Sequence, residues 1–234
     1  MKAKKAICLF LWILGSTLDT GMSHAQTAPT LIVEASRMDQ LAGALGDAKV
    51  TDRLSSEFSS FLGTDARTVV PGLRNGTPII LTRNAPSSSP GSTLLTTTAT
   101  ITPPTGKMGF GNVFIALALA RQQLSQLGIA QPTPEQLQAA LVGGAVTVES
   151  GTTASSTNLA GILTLRSHKM GWGQIAQELG FKLGPVVGGL KATNDGLAMG
   201  AVSGPAVDAA GGLSGAIVDA QGRARAISDR DSHR

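Results

Sequence analysis

Asn112–Leu127, read as NVFIALALARQQLSQL, decides the fold. Its first half, Val113 to Ala120, is apolar on every side, which a helix tolerates only when it is covered on every side. Its second half turns amphipathic, with Leu124 and Leu127 inward and Arg121, Gln122 and Gln126 outward. Gly128 ends it. The stretch therefore predicts a buried central helix, and the remaining chain has to supply its cover.

Working outward, Thr133-Pro134-Glu135-Gln136 opens the next helix as a capping box. It pairs a Thr cap with Pro at the first helical position and Gln three residues after the cap. Gly143-Gly144 closes that helix, and Val146 to Glu149 reads as a short strand. Upstream, Val50, Leu54, Phe58, Phe61 and Leu62 share one face at helical spacing. Gly63 ends this helix, and Thr64 is expected to cap a short successor that Pro71 interrupts. Asn75-Gly76 marks a turn. Thr77–Thr82 (TPIILT) and Thr96–Thr102 (TTTATIT) read as strands that pair as a hairpin across the Ser/Pro loop of residues 84–92 (NAPSSSPGS). Downstream, helices are expected over Asn158–Lys169 and Trp172–Leu179.

The N-terminus has the order of a secretory signal. Lys2, Lys4 and Lys5 precede the apolar run Ala6–Leu14 (AICLFLWIL), and Ser23-His24-Ala25 offers small residues for cleavage after Ala25. The run is shorter than the ~20 residues a membrane span needs. Residues 1–25 are accordingly read as a signal peptide, placing the protein in the periplasm or outside the cell. The mature chain of 209 residues loses three lysines and Asp19, so its net charge falls from +4 to +2. So small an excess makes no electrostatic case for nucleic acid or anionic lipid. Cys8, the single cysteine, leaves with the signal, which removes disulfides, thiolates and thiolate metal ligands from the mature chain. Cohesion then rests on a core of Leu, Val, Ile and Ala, because five Phe, one Trp and no Tyr remain.

The expected organisation is mainly α: one helical domain of αα-hairpins with a small β-hairpin over residues 26–190, and a disordered Gly/Ala/Ser-rich tail over 191–234. In that tail five basic residues balance five Asp and aromatics vanish, so little apolar area offsets the entropy of ordering.

Trp172–Lys191 (WGQIAQELGFKLGPVVGGLK) resembles a helix-turn-helix, with Ala176, Gly180 and Val186 at its small, turn and core positions. On an exported chain this reads as a packed αα-hairpin. The second helix would offer Lys182, Leu183, Gly184, Pro185, Val187 and Gly188, which lack the bidentate groups that read base edges. Lys107–Asn112 (KMGFGN) is glycine-rich and runs into the central helix. It reads either as an anion site on free N–H groups or as a turn capped by Asn112. Catalytic patterns are absent. The mature chain keeps only His168 and His233, no His/Glu pair has metal spacing, and no nucleophile elbow or close carboxylate pair is visible. No catalytic, cofactor-binding or metal-binding residue is assigned, and no enzyme activity is expected.

Three stretches, TPPTGKMGFGNVFIALALARQQL, PTPEQLQAAL and MGWGQIAQELGFKLGPVV, resemble a family of exported bacterial proteins of no known activity, over about Lys49 to Leu190. The resemblance implies an exported or periplasmic protein with a Gly/Ala/Ser-rich tail and carries over no site residues. The expected function is a non-enzymatic binding or structural module with an unidentified envelope or secreted partner. Nucleic-acid binding through 172–191 is the alternative, and a cell-wall glycan binder comes third. The candidate interaction surface is Met170, Trp172, Gln174 and Lys182, around the one tryptophan of the mature chain.

Overall fold

A computed structural model describes residues 22–85, 95–150 and 153–202. The expected signal peptide falls outside these residues up to 21. Residues 22–25 form the first turn of α1 (Met22–Leu45). The chain is mainly helical, with two small antiparallel hairpins. The central helix α5 (Phe110–Gln126) buries every residue from Val113 to Ala120 as well as Phe110 and Leu124. Each large side chain moved from water into such a core contributes about 1.5–3 kcal/mol.

Helix α1 crosses α5 and was not anticipated. Its buried stripe, Leu31, Ala35, Met38 and Ala42, follows a 4-3-4 helical spacing. The crossing is close because residue 111 has no side chain: a Cβ there would fall inside the backbone of Ala35. On another side lies α2 (Asp47–Glu57), which continues after a break at Phe58 into the single turn α3 (Ser59–Leu62). The predicted face Val50, Leu54, Phe58, Phe61 and Leu62 is buried throughout. Phe58 meets Phe114 of α5 edge-on, with ring centroids 5.3 Å apart.

Two local expectations are corrected after Gly63. Thr64 caps nothing; residues 63–65 form a 3-10 turn, and α4 (Ala66–Asn75) follows without a side-chain cap. Pro71 lies inside α4 and does not interrupt it. The missing donor costs one hydrogen bond, and burial of Val69, Val70 and Leu73 along one face offsets that loss. Strands β1 (Ile79–Ala85) and β2 (Leu95–Ile101) then pair from Ile79↔Ile101 to Ala85↔Leu95. Asn84 and Ala85 thus belong to a strand rather than to the predicted loop, and residues 86–94 lie outside the described part.

Helix α6 (Pro134–Val142) has the expected capping box. Thr133 accepts from the Gln136 N–H at 3.3 Å, and Gln136 Oε1 accepts from the Thr133 N–H at 2.9 Å. It packs on α5, on the first hairpin and on the second, which pairs β3 (Gly144–Ser150) with β4 (Thr153–Leu159). The second hairpin corrects the reading of Asn158 as a helix start. That stretch is strand to Leu159, and α7 is confined to Ile162–Ser167. β4 contributes no buried side chain among its described residues, so no apolar alternation marked it.

Helix α8 (Trp172–Glu178) leads through a turn with Gly180 at φ +73° into α9 (Gly184–Val202). The expected start of the tail at 191 is therefore corrected for residues 191–202, which are helical, whereas 203–234 lie outside the described residues. The extension is held by α1. Asn194, fully buried, donates its amide to the backbone oxygen of Glu34 (2.9 Å) and to Glu34 Oε2 (2.8 Å). Arg37 bonds Asp195 at 2.8 Å, and Lys191 bonds it at 3.0 Å. The Lys191 and Arg37 bonds hold the Asp195 carboxyl below the usual carboxylate range.

Two outcomes follow from this packing. Gly111→Ala should destabilise by about 3 kcal/mol, because the added methyl meets main chain rather than a movable side chain; chemical denaturation reads the change. A lowered carboxyl contributes stability above its unfolded pKa of about 3.9, and that contribution disappears as pH falls through the folded value. Urea midpoints at pH 7 and pH 3 should therefore differ less in Asp195→Asn than in the unmodified chain.

Candidate ligand recess

The start of α5 is organised by its neighbours before any ligand is considered. The loop leading into it is clamped by the last turn of α4. The Met108 N–H donates to the Arg74 backbone oxygen at 3.2 Å, and Arg74 Nη1 donates to the Met108 oxygen at 3.0 Å. The Arg74 guanidinium also lies 4.5 Å from the centre of the Phe110 ring. Gly109, not Asn112, is the N-cap residue. The first free N–H of the helix, that of Phe110, donates to Asp39 Oδ1 at 2.6 Å. A Cβ on residue 109 would collide with the Asp39 carboxylate, so glycine is what lets α1 deliver its carboxylate there. A negative group at a helix N-terminus is stabilised by the aligned peptide dipoles. Of the two readings of this stretch, a turn capped by Asn112 is corrected to a Gly109 cap, and the anion at the helix start is the chain's own Asp39.

Beside this start lies an open recess of about 430 Å³, walled by the Pro104–Gly109 loop, Asn112 and the Arg166–Lys169 segment. Lys107, Arg166 and Lys169 line it, and among the described residues no carboxylate does. None of the three forms an ion pair among the described residues, whereas Arg37, Arg74, Arg83 and Lys191 all do. Arg166 is positioned twice over. Its Nη1 donates to the Met170 oxygen at 2.8 Å, and its guanidinium sits 5.1 Å from the centre of the Trp172 ring. Trp172 in turn donates Nε1–H to Asn112 Oδ1 at 2.8 Å. Asn112 lines the recess, and with its oxygen engaged its amide nitrogen is the donor it has for a further partner.

Lys169 stands apart in its backbone. At φ +65° it is the one non-glycine with positive φ among the described residues. A lysine there costs about 1–2 kcal/mol against the right-handed alternative. The turn that imposes it is closed by bonds from Lys169 N–H to the Arg166 oxygen (3.0 Å) and from Met170 N–H to the Leu165 oxygen (3.4 Å).

The four residues of the predicted interaction surface are dispersed. Trp172 is buried, 6% exposed, and anchors α8 to α5 through Asn112. Met170 is half-buried and packs against the core. Gln174 is exposed, but its Oε1 accepts from the Gly171 N–H at 2.9 Å, so it closes the turn before α8. Lys182 is exposed ahead of α9 and does not line the recess. Met170 and Trp172 thus act behind the recess by holding Arg166 and Asn112. His168, exposed on the turn after α7, has no carboxylate partner among the described residues. No family model, curated protein or solved structure matches the chain.

The strain at Lys169 is directly testable. Lys169→Gly should stabilise the fold by about 0.5–1 kcal/mol, the relief of the left-handed penalty less the extra entropy glycine gives the unfolded chain. Thermal unfolding of the two chains side by side measures it.

Proposed function

We propose that the protein is an exported, non-enzymatic binding module of the cell envelope or secretome, and that its ligand is taken up at the recess beside the start of α5. The observation that carries this reading is the grouping of Lys107, Arg166 and Lys169 around one recess with no carboxylate of the described residues in its lining. Like charges brought together without partners repel one another, and an anionic ligand relieves that repulsion. Export is supported by the order of charged, apolar and small-residue segments over residues 1–25. The expected cleavage point also falls ahead of Leu31, the first buried residue of α1 among those whose side chains are described.

A second reading, nucleic-acid binding through residues 172–191, draws on the sequence of helix, glycine turn and helix, with Lys182 exposed at the turn. The outward residues early in α9 count against it. Gly184, Pro185, Gly188 and Ala192 cannot form bidentate bonds to base edges, and Lys191 already pairs with Asp195.

The deciding measurement is the intact mass of the protein recovered from the extracytoplasmic fraction of its host. A chain beginning at Gln26 is expected. A full-length chain confined to the cytoplasm would overturn export and bring forward the nucleic-acid reading, whose signature is affinity for duplex that falls steeply with salt.

A further inference from the structure

We propose that the recess is a phosphomonoester site, taking the phosphate group of a small phosphorylated alcohol against Lys107, Arg166, Lys169 and the Asn112 amide. This rests on the reading of the chain as a binding module and gives that module a ligand class.

Four observations converge on it. The first is charge: three cations line the recess without a carboxylate, and none has an ion-pair partner among the described residues. A phosphomonoester carries about −1.5 to −2 charges at neutral pH, closer to this surplus than a carboxylate or a phosphodiester. The second is donor geometry. The cations come from two separate segments that both line the recess, the 104–109 loop and the 166–169 turn. A tetrahedral group with three free oxygens can accept from donors of both segments and from Asn112 at once. A planar carboxylate offers two oxygens in one plane.

The third observation is that the donors are held before any ligand arrives. Arg166 is fixed by the Met170 oxygen and by the Trp172 ring, and the Asn112 amide is oriented because Trp172 occupies its oxygen. Only one nitrogen of Arg166 is used in this way, which leaves guanidinium donors for a ligand. The fourth is Lys169, retained in a left-handed conformation that glycine would adopt without penalty. Residues held in such conformations cluster at active sites and ligand clamps. Asp39 is the carboxylate that touches this end of α5 among the described residues. It lies behind Gly109, outside the lining, and its Oδ1 is bonded to the Phe110 N–H. The helix dipole is thus already answered, and it is the side-chain cations that are left for a ligand. A volume of about 430 Å³ exceeds a phosphate group and leaves space for a short alcohol beside Pro104 and Met108.

The test is calorimetric titration of the full chain at low ionic strength with glycerol 3-phosphate, inorganic phosphate and acetate, against chloride of matched ionic strength. Both phosphates should bind and acetate should not, and affinity should fall as salt is raised. Lys107→Gln with Lys169→Gln should weaken glycerol 3-phosphate binding by about tenfold or more, as expected for losing charged hydrogen-bond donors. Lys169→Gly separates folding from binding: it should melt higher than the unmodified chain and bind more weakly. Unchanged affinity in both variants would overturn the proposal, as would phosphate behaving like acetate. Neither result depends on where the protein resides. A mature chain outside the cytoplasm that ignores phosphate would sink the ligand assignment alone, and a cytoplasmic chain that binds it would sink export alone.

Discussion

A helix that is apolar on all sides cannot stand at a surface, and the cover that α5 requires sets the places of its neighbours. From Val113 to Ala120 every residue is buried, so no face is left for solvent until Arg121. Helices α1, α2, α4, α6 and α7 all pack against it. The tightest approach is at Gly111, where the α1 backbone at Ala35 occupies the space a side chain would take. Because α6 also carries both hairpins, the strands are held at one remove from the same helix. Two-stranded hairpins are marginal by themselves and gain stability by packing on a helix.

Polar contacts then fix how the cover meets the start of α5. Asp39 from α1 caps the Phe110 N–H, Arg74 from α4 grips Met108 and lies on Phe110, and Trp172 from α8 bonds Asn112. Three elements far apart in sequence thus converge on one helical turn. The recess is lined by the loop that α4 grips, by Asn112 and by the turn before α8. Its shape follows from the burial requirement of α5, and its charge comes from which side chains face outward there.

Much of this was legible because it is written locally. The apolar run of α5, the Thr133–Gln136 capping box and the face from Val50 to Leu62 each lie within a single element. What was missed depends on long-range partners. The stripe of α1 contains two alanines and one methionine, whose apolar signal is weak until Gly111 admits the backbone beside them. β4, reading TASSTNL, has no alternation and is held by its register with β3. Residues 191–202 read as a small-residue tail, since what orders them is Glu34, Arg37 and Lys49 of other helices. The recess was half visible. The glycine-rich stretch holding Lys107 reads either as an anion site or as a capped turn, and nothing in the sequence brings Arg166 and Lys169, some sixty residues later, to the same recess.

The continuation of α9 also bears on what the helix-turn-helix pattern means in this chain. Ala176, Phe181 and Val186 are buried, as that pattern requires, but the second helix does not end where a short recognition helix would. It runs on to Val202 and is tied to α1 by the Asn194 and Asp195 contacts, with Lys49 Nζ donating to the Gly200 oxygen at 3.1 Å. A helix tied along its second half is constrained in how it can lie in a groove. Its outward early residues are chiefly glycine, proline and alanine, which suit close packing better than base contacts. The spacing of small and apolar residues therefore specifies how two helices meet, and the chemistry of the exposed side chains decides what the pair can touch. In this chain those two kinds of information separate: the hairpin supplies Trp172 to hold Arg166 and Asn112, and Lys107, Arg166 and Lys169 supply the charge of the recess.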